Sequence, residues 1–540
     1  MVKPKQSMLI IALPLFVATL AKGQDLASTT AALQPRTNQQ FYLRFLNVSG
    51  NKKTHLEVIL RMIPLRETDL FDQVRWEQGI DALNRSGLFN PITNADYVFI
   101  LDHALGVVDI ELRVTERDYQ RVDINGGGGT TGDVSVGLDY SHANLTGRAD
   151  KLLVRGLFGD RERSIVGNYS TLIWSKTPIS LNASGYYQQT RFVSAQTSAG
   201  DRQTLFADRT GGASVGLFVP LGLPRFALSA PTRAGLVYSL STSNVADSFT
   251  LVSGARTTIK QSGLRIGSLT PTLVRDTRDR GFDPQIGELL AFGVELGARA
   301  LGGRMNLVRP YFDYRRFFPL GRGSAAADDE KRERRVIAFG VRGSFIAAFG
   351  EPFPAETLST VDGVPIFKRF FLGGETQVRG YDVNSIAPLA RVQRFAVTGT
   401  ASTLVASDIR PIGGDTDFVF NAEYRIPIVW RLSAAAFFDF GASFNSRALE
   451  PERFETGPQT GLSGSSSILT VLTPLASIED TLPRYRFSLG GEFRFPIPVL
   501  NIPIRLIFAL NPNAQQNVPT STFLAPEKRF AFRIGFSRTL

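Results

Sequence analysis

The chain of 540 residues contains no cysteine and only three histidines. The absence of cysteine excludes disulfides, thiolate nucleophiles, and zinc or iron–sulfur sites built on cysteine. The histidines, His55, His103 and His142, are scattered without metal-ligand spacing, so we expect no metal site and no cofactor. Long Lys/Arg runs are also missing, and the modest net charge of +11 gives little reason to expect nucleic-acid binding.

Long apolar stretches are equally scarce, and none of 18 residues occurs that would predict a membrane-spanning helix. One shorter apolar run, Met8–Leu20, follows a basic start and precedes small residues. This pattern predicts a secretory signal peptide over residues 1–23, cleaved before Gln24. A transmembrane helix is the alternative, but it needs about 20 apolar residues, and Pro14 interrupts this run.

The next segments predict a flexible lead-in and then a small α+β domain. Residues 24–40 are rich in Ala, Thr and Gln and lack periodicity. Over residues 41–117, strand-like and helix-like patterns alternate in the order β-α-α-β-β. The candidate elements in chain order are Phe41–Val48, His55–Ile63, Asp72–Asn84, Ala95–Leu101 and Val107–Val114. Asp69 and Asp72 are candidate helix caps.

Residues 118–540 follow a different pattern, in which apolar and polar residues alternate with period two. In Tyr485–Phe495, aromatic residues share one face, and charged residues such as Glu492 and Arg494 share the other. Strands that face lipid outside and water inside show this alternation, so we predict a transmembrane antiparallel β-barrel. A soluble β-sandwich also alternates, but the chain ends in a strand, Arg529–Leu540, which is suited to closing a barrel.

Strand number follows only loosely from length. Residues 118–540 would provide roughly 26 residues for each of sixteen strands with its connection, and fourteen or eighteen strands fit nearly as well. The obvious long loops are Ser324–Arg334, the region around Arg379, and Pro451–Pro483.

Six short motifs in order resemble those of the BamA/TamA-type outer-membrane proteins, also known as the bacterial surface antigen family. The resemblance implies one periplasmic POTRA domain, the β-α-α-β-β module of this family, followed by a sixteen-stranded barrel. The motifs are "ALNRSGLFNPI" in the first domain, then "NLTGR" (144–148), "RDTRDRGFDPQIG" (275–287), "VRGYD" (378–382), "NAEYRIPI" (421–428) and "FFDFG" (437–441).

The resemblance also gives a role to the loop motif at Arg379, Gly380 and Tyr381. In the family this loop folds into the barrel, and its arginine meets acids on the inner wall. Alternation places Glu423 and Asp439 on the inward face of their strands. A guanidinium can fork onto one carboxylate and still donate to a second, so the arginine is predicted to hold the loop to the wall. The alternative is a solvated loop arginine.

By the same resemblance, the protein assembles, inserts or translocates other polypeptides and is not an enzyme. We expect a weak lateral seam where the first barrel strand, near Tyr119–Gly128, meets the last, so that a client strand can be templated at the open edge. The seam residues are Gly126, Gly127, Gly128, Phe532, Ile534, Gly535, Phe536 and Leu540.

The expected location is the bacterial outer membrane, with the N-terminal domain in the periplasm. Expected partners are unfolded outer-membrane or secreted client polypeptides, the lipid bilayer and lipopolysaccharide, together with periplasmic chaperones or accessory lipoproteins. Two alternatives remain: a pore dedicated to secreting one or a few partner proteins, and a passive diffusion channel.

Overall fold

A computed structural model describes most of the chain beyond residue 40. The described ranges are 41–129, 134–159, 162–172, 179–193, 204–221, 231–254, 256–279, 283–321, 334–355, 358–429, 432–456, 467–475, 485–497, 502–515 and 527–535. The predicted signal peptide and lead-in therefore lie outside the described residues. None of the helices in these ranges is long and apolar enough to cross a membrane.

The N-terminal domain is a three-stranded sheet covered by two helices. Its elements are β1 (Tyr42–Ser49), α1 (Leu56–Met62), α2 (Gln73–Ser86), β2 (Tyr97–Asp102) and β3 (Val107–Arg113). The sheet order is β1-β3-β2, with β1 parallel to β3 and β2 antiparallel to it. The predicted order of elements is confirmed.

The sequence explains where α2 begins and ends. Asp72 is its N-cap, because the side chain accepts a hydrogen bond from the backbone N–H of Val74. Gly87 ends it in the left-handed conformation. The expectation that Asp69 caps a helix is wrong, since its carboxylate accepts from the backbone N–H of Arg66 in the preceding turn. Trp76, Leu83 and Phe89 are buried in the core between helices and sheet.

The remainder of the described chain is almost entirely β-structure. The strands are β4 (Gln120–Gly129), β5 (Ser135–His142), β6 (Lys151–Gly159), β7 (Glu162–Leu172), β8 (Ser180–Val193), β9 (Thr204–Leu221), β10 (Thr232–Thr250), β11 (Arg256–Asp276), β12 (Gly287–Gly297), β13 (Asn306–Leu320), β14 (Arg335–Phe345), β15 (Ala347–Phe349), β16 (Thr360–Val361), β17 (Val364–Pro365), β18 (Leu389–Thr398), β19 (Ala401–Pro411), β20 (Thr416–Val429), β21 (Leu432–Phe444), β22 (Glu452–Thr456), β23 (Ser467–Pro474), β24 (Tyr485–Ile497), β25 (Ile502–Leu510) and β26 (Phe530–Gly535).

Seventeen of these segments pair in a closed ring that runs from β4 through β15 and then through β20, β21 and β24–β26 back to β4. β14 and β15 both pair with β13 and are parts of one strand interrupted at Ile346. Within the described residues, the barrel therefore has sixteen strands, in agreement with the predicted transmembrane antiparallel β-barrel.

Alternation along the barrel strands matches the two sides of the wall. On β24, Tyr485, Leu489 and Phe493 point outward and are exposed, whereas Ser488 and Glu492 point into the lumen and are buried. Buried polar side chains on the inner face show that the lumen around β24 is filled rather than open. The filling comes from the chain between β15 and β20.

A second β-structure covers the end of the barrel farthest from the N-terminal domain. It is a four-stranded sheet in the order β19-β18-β23-β22. Val392 of β18, Phe454 of β22 and Leu472 of β23 pack in one apolar core with Val245 of β10 and Leu307 of β13. Within Pro451–Pro483, the predicted long loop, the described residues instead form β22 and β23, which pair with each other, and β23 also pairs with β18.

The N-terminal domain is joined to the barrel by hydrogen bonds as well as by the chain. In the turn between β5 and β6, the carbonyl of Gly147 accepts from the backbone N–H of His55 at 2.9 Å, and Asn144 Nδ2 donates to Thr54 Oγ1 at 3.0 Å. Thr54 Oγ1 also lies 2.9 Å from the hydroxyl of Tyr119, the residue before β4. The domain is thus fixed to the β4–β6 part of the barrel.

Candidate functional site

The segment Gly373–Asp382, between β15 and β20, enters the barrel and packs against its inner wall. Gly380 has a φ of +91°, and a Cβ at this position would lie 2.7 Å from Cβ of Ala509 on β25. Such a close approach requires glycine. At Gly380 the backbone of the segment therefore lies directly against the wall.

Arg379 lies at the centre of this contact and is completely buried. Its Nε and Nη2 donate to the two carboxylate oxygens of Asp439 at 2.6 and 2.7 Å, in a forked pair. Its backbone N–H donates to the same carboxylate at 3.1 Å. Both the side chain and the backbone of Arg379 are thus held by one residue of β21.

Two further carboxylates complete the surroundings of the guanidinium. Nη1 of Arg379 donates to Glu423 of β20 at 2.8 Å and to Glu492 of β24 at 3.2 Å. The guanidinium also stacks over the ring of Phe437, with its central carbon 3.7 Å from the ring centroid. Burial alone would lower the pKa of Arg379, but Asp439, Glu423 and Glu492 raise it above its ordinary value, so the charge is held.

The same carboxylates bind arginines of the wall. Glu423 accepts from Arg425 at 2.9 Å and from Arg494 at 3.0 Å, and Glu492 accepts from Arg505 at 2.6 Å. A fourth acid comes from the turn between β11 and β12, where Asp283 lies 3.3 Å from Arg425. Four acids and four arginines thereby form one network that joins the segment, the wall and this turn.

The structure brings together all five residues that the sequence assigned to this loop contact. Besides Arg379, Glu423 and Asp439, the carbonyl of Gly380 accepts from Asn511 Nδ2 at 2.9 Å. The hydroxyl of Tyr381 donates to Asn513 Oδ1 at 2.9 Å, and burial raises its pKa. Sequence reasoning missed Glu492 as a partner of Arg379, although alternation had placed it on the inward face.

At the predicted seam, β4 and β26 pair through three residue pairs within the described residues. Gly127 lies opposite Gly535, Gly128 opposite Ile534, and Gly129 opposite Arg533. In this register Gly126 would face residue 536 and Phe532 would face residue 130. Residues 130 and 536 lie outside the described residues. The predicted seam residues Phe536 and Leu540 therefore also lie outside the described residues.

A second buried charge cluster was not found from the sequence. Arg394 of β18 donates to Asp247 of β10 at 2.8 Å, and Arg410 of β19 donates to the other oxygen of Asp247 at 2.6 Å. Arg410 also pairs with Asp408, and Arg394 stacks over Phe249 at 4.0 Å. This cluster fixes the four-stranded sheet to the barrel.

Comparison with known proteins identifies both parts of the chain. A family model for the Omp85 superfamily domain matches residues 144–537, and a POTRA model described as a surface antigen variable number repeat matches residues 41–117. The outer membrane protein assembly factor BamA of Nitratidesulfovibrio vulgaris is 22% identical over 76% of this chain. The same factor of Neorickettsia risticii is 24% identical over 75% of it. The matches cover only 45% and 47% of those relatives, so the chain spans about half their length.

Solved structures share the fold. The crystal structure of BamA from Haemophilus ducreyi lacking POTRA domains 1–3 superposes with a TM-score of 0.54 at 16% identity, covering 92% of this chain and 84% of that one. CdiB from Escherichia coli gives 0.51 at 13% identity, covering 92% and 76%. The predicted resemblance is confirmed, and the chain belongs to the Omp85 superfamily, with one POTRA domain before its barrel.

Proposed function

We propose that this protein assembles or translocates client polypeptides at the outer membrane by pairing client strands with the seam between β4 and β26. The observation that carries this proposal is the run of four glycines, Gly126–Gly129, at the end of β4 that pairs with β26. Unpaired strand edges recruit extended chains through backbone hydrogen bonds, so a seam that opens offers a template.

The setting of the protein supports this role. Omp85 proteins lie in the outer membrane with POTRA domains in the periplasm, and this protein has the same location. The family consists of non-enzymatic assembly and transport barrels. Exchange of one strand pairing for another requires no catalytic group and no nucleotide. The clients we infer are unfolded outer-membrane or secreted polypeptides that arrive from the periplasm.

A glycine-rich first strand would favour opening. Gly126–Gly129 form the end of β4 that meets β26, and glycine within a strand weakens pairing by roughly 0.5–1 kcal/mol per residue. The apolar bilayer cannot satisfy free backbone groups, so an opened seam is driven to pair with whatever strand is available. A client strand meets that need.

The contents of the lumen argue against a passive channel. The chain between β15 and β20 is bound to the wall at Arg379, and Lys368 of the same chain lies 2.9 Å from Glu295 of β12. Such a filled lumen opposes free diffusion of solutes. A steady conductance as high as that of an open pore would contradict this part of the proposal.

A reversible crosslink tests the seam directly. The chain lacks cysteine, so the pair Gly128→Cys/Ile534→Cys would carry the only thiols, at positions that lie opposite each other. We expect oxidation to stop assembly of a heat-modifiable client barrel, or export of a secreted client, and reduction to restore it. The matched control is Gly167→Cys/Gly185→Cys, a facing pair on β7 and β8.

The control crosslink should leave client assembly unchanged. If the oxidised seam pair assembles clients at the rate of the reduced protein, the seam is not the site of client pairing. If the crosslink blocks a membrane barrel, the function is barrel assembly. If it blocks a secreted protein, the function is dedicated secretion.

A further inference from the structure

The segment Gly373–Asp382 contacts the last barrel strand as well as the wall that holds Arg379. Nη2 of Arg533, on β26, donates to the carbonyl of Tyr381 at 2.9 Å and to the carboxylate of Asp382 at 3.1 Å. Arg533 is 3% exposed, so its bond to the carbonyl of Tyr381 is shielded from water. Arg533 is also the residue that lies opposite Gly129 at the seam.

A second contact lies two residues further along β26. A Cβ added at Gly535 would overlap Oε2 of Glu375, so this carboxylate lies directly against the backbone of the last strand. A side chain at this position would have to displace the carboxylate of Glu375. Burial raises the pKa of Glu375, while the charges of Arg505 and Arg533 oppose that rise.

A third contact holds the beginning of β26. The backbone N–H of Asn511 donates to the carbonyl of Arg529 at 2.7 Å, and Asn511 Nδ2 donates to the carbonyls of Gly380 and Lys528 at 2.9 and 2.8 Å. Asn511 therefore links the segment to the chain that enters β26. Together with Arg533 and Glu375, it gives the segment a hold along the whole described length of the strand.

These side-chain contacts add to the backbone pairing of β26 with its neighbours β25 and β4. Buried hydrogen bonds to charged groups stabilise by more than ordinary backbone pairs. The segment therefore stabilises β26 beyond its backbone pairing.

We propose that Glu375 and Arg533 are positioning residues that hold β26 against the bound segment, so that the seam opens by movement of β4 while β26 stays in place. The inference rests on the proposed function only in taking this seam as the place that opens. By binding β26, the segment Gly373–Asp382 makes β26 the fixed edge of the seam and leaves β4 as the edge that moves.

Hydrogen exchange on the folded barrel in lipid, without client, tests this assignment. We expect the amides of β26 to exchange more slowly than those of β4 in the unmodified protein, because only β26 is held by Arg533 and Glu375. Glu375→Gln and Arg533→Gln should each speed exchange in β26 by about tenfold and leave β4 unchanged, because each weakens a buried charged contact. Arg529→Gln, at an exposed arginine just before β26, is the matched control and should change neither strand.

Two results would overturn the inference. One is exchange in β26 that is as fast as, or faster than, exchange in β4 of the unmodified protein. The other is a variant that speeds both strands equally or neither. If Arg533→Gln does not give a heat-modifiable barrel, the exchange rates of β26 and β4 in Glu375→Gln and in the unmodified protein still test the inference. The crosslink test of the proposed function is read on client assembly, so the two proposals can fail separately.

Discussion

Two parts of the barrel wall differ sharply in what holds them. The wall formed by β20, β21 and β24 carries Glu423, Asp439 and Glu492, all bound to the guanidinium of Arg379. At the seam, the glycines Gly127, Gly128 and Gly129 of β4 pair through their backbones with Gly535, Ile534 and Arg533 of β26. Charged side chains therefore hold the first part of the wall, whereas the pairing of β4 with β26 is made by backbone groups.

This difference separates two tasks that a membrane barrel must combine. A closed barrel in lipid must satisfy every backbone group, which favours permanent pairing all round. A barrel that accepts client strands must be able to give up one pairing. The ion pairs of Arg379 stabilise β20, β21 and β24 without themselves bridging the pairing of β4 with β26.

The largest expected effect comes from removing the charge at the stiff wall. Arg379→Ala leaves three buried carboxylates without their common partner, and breaking a buried ion pair in this way typically costs about 3–5 kcal/mol. We expect a barrel that still inserts but unfolds at a lower denaturant concentration and is cut by protease within Gly373–Asp382. Limited proteolysis and the urea midpoint measure this.

Arg391→Ala is the control, because Arg391 is exposed on β18 of the same connection. A protein with Arg379→Ala that resists protease as well as the Arg391→Ala protein would show that the ion pairs do not hold the segment. The contrast between wall and seam would then rest on backbone pairing alone.

A smaller effect is expected from Arg379→Lys. Lysine keeps the positive charge but loses the forked pair with Asp439 and the stacking on Phe437. The expected loss is about 1.5–3 kcal/mol, the value of a hydrogen bond to a charged group. The urea midpoint should lie between those of the unmodified protein and Arg379→Ala. A midpoint equal to that of the unmodified protein would mean that only the charge matters.

The smallest effect is expected at the seam itself. By alternation Gly128 shares the outward face of Val122 and Ile124, so Gly128→Val should strengthen β4 by roughly 0.5–1 kcal/mol. We expect slower client assembly together with slower hydrogen exchange in β4. Gly167→Val lies on the same face of β7 as Ile165, and an added Cβ would meet no atom closer than 4.0 Å, so it should stabilise the barrel without slowing assembly. Equal slowing by both variants would argue against a special role of the seam.

The sequence predicted the fold well because the main signals are local. Alternation shows which face of a strand a residue occupies, and it placed Glu423 and Asp439 inward. Alternation does not show which inward groups meet. Glu492 lies 113 residues from Arg379 in the chain, and the pairing depends on how the ring closes. The motif resemblance supplied that missing step for two of the three acids.

The same limit explains what the sequence did not predict. The four-stranded sheet pairs β18 with β23 across the intervening barrel strands β20 and β21, and no local pattern records such a partner. The cluster of Arg394, Arg410 and Asp247 depends on that sheet, since its members lie as much as 163 residues apart. Long polar connections conceal strands whose partners lie elsewhere in the chain.

The hydrogen bonds at Thr54 make the POTRA domain a lever arm. Thr54 is bonded to Asn144 and Tyr119, so the domain is attached to the turn between β5 and β6 and to the start of β4. It is thereby attached to the same flank of the seam as β4. A displacement of this flank must swing the whole domain through the periplasm, and a load on the domain must exert a torque on that flank. The angle between the POTRA domain and the barrel therefore reports how far the flank has turned.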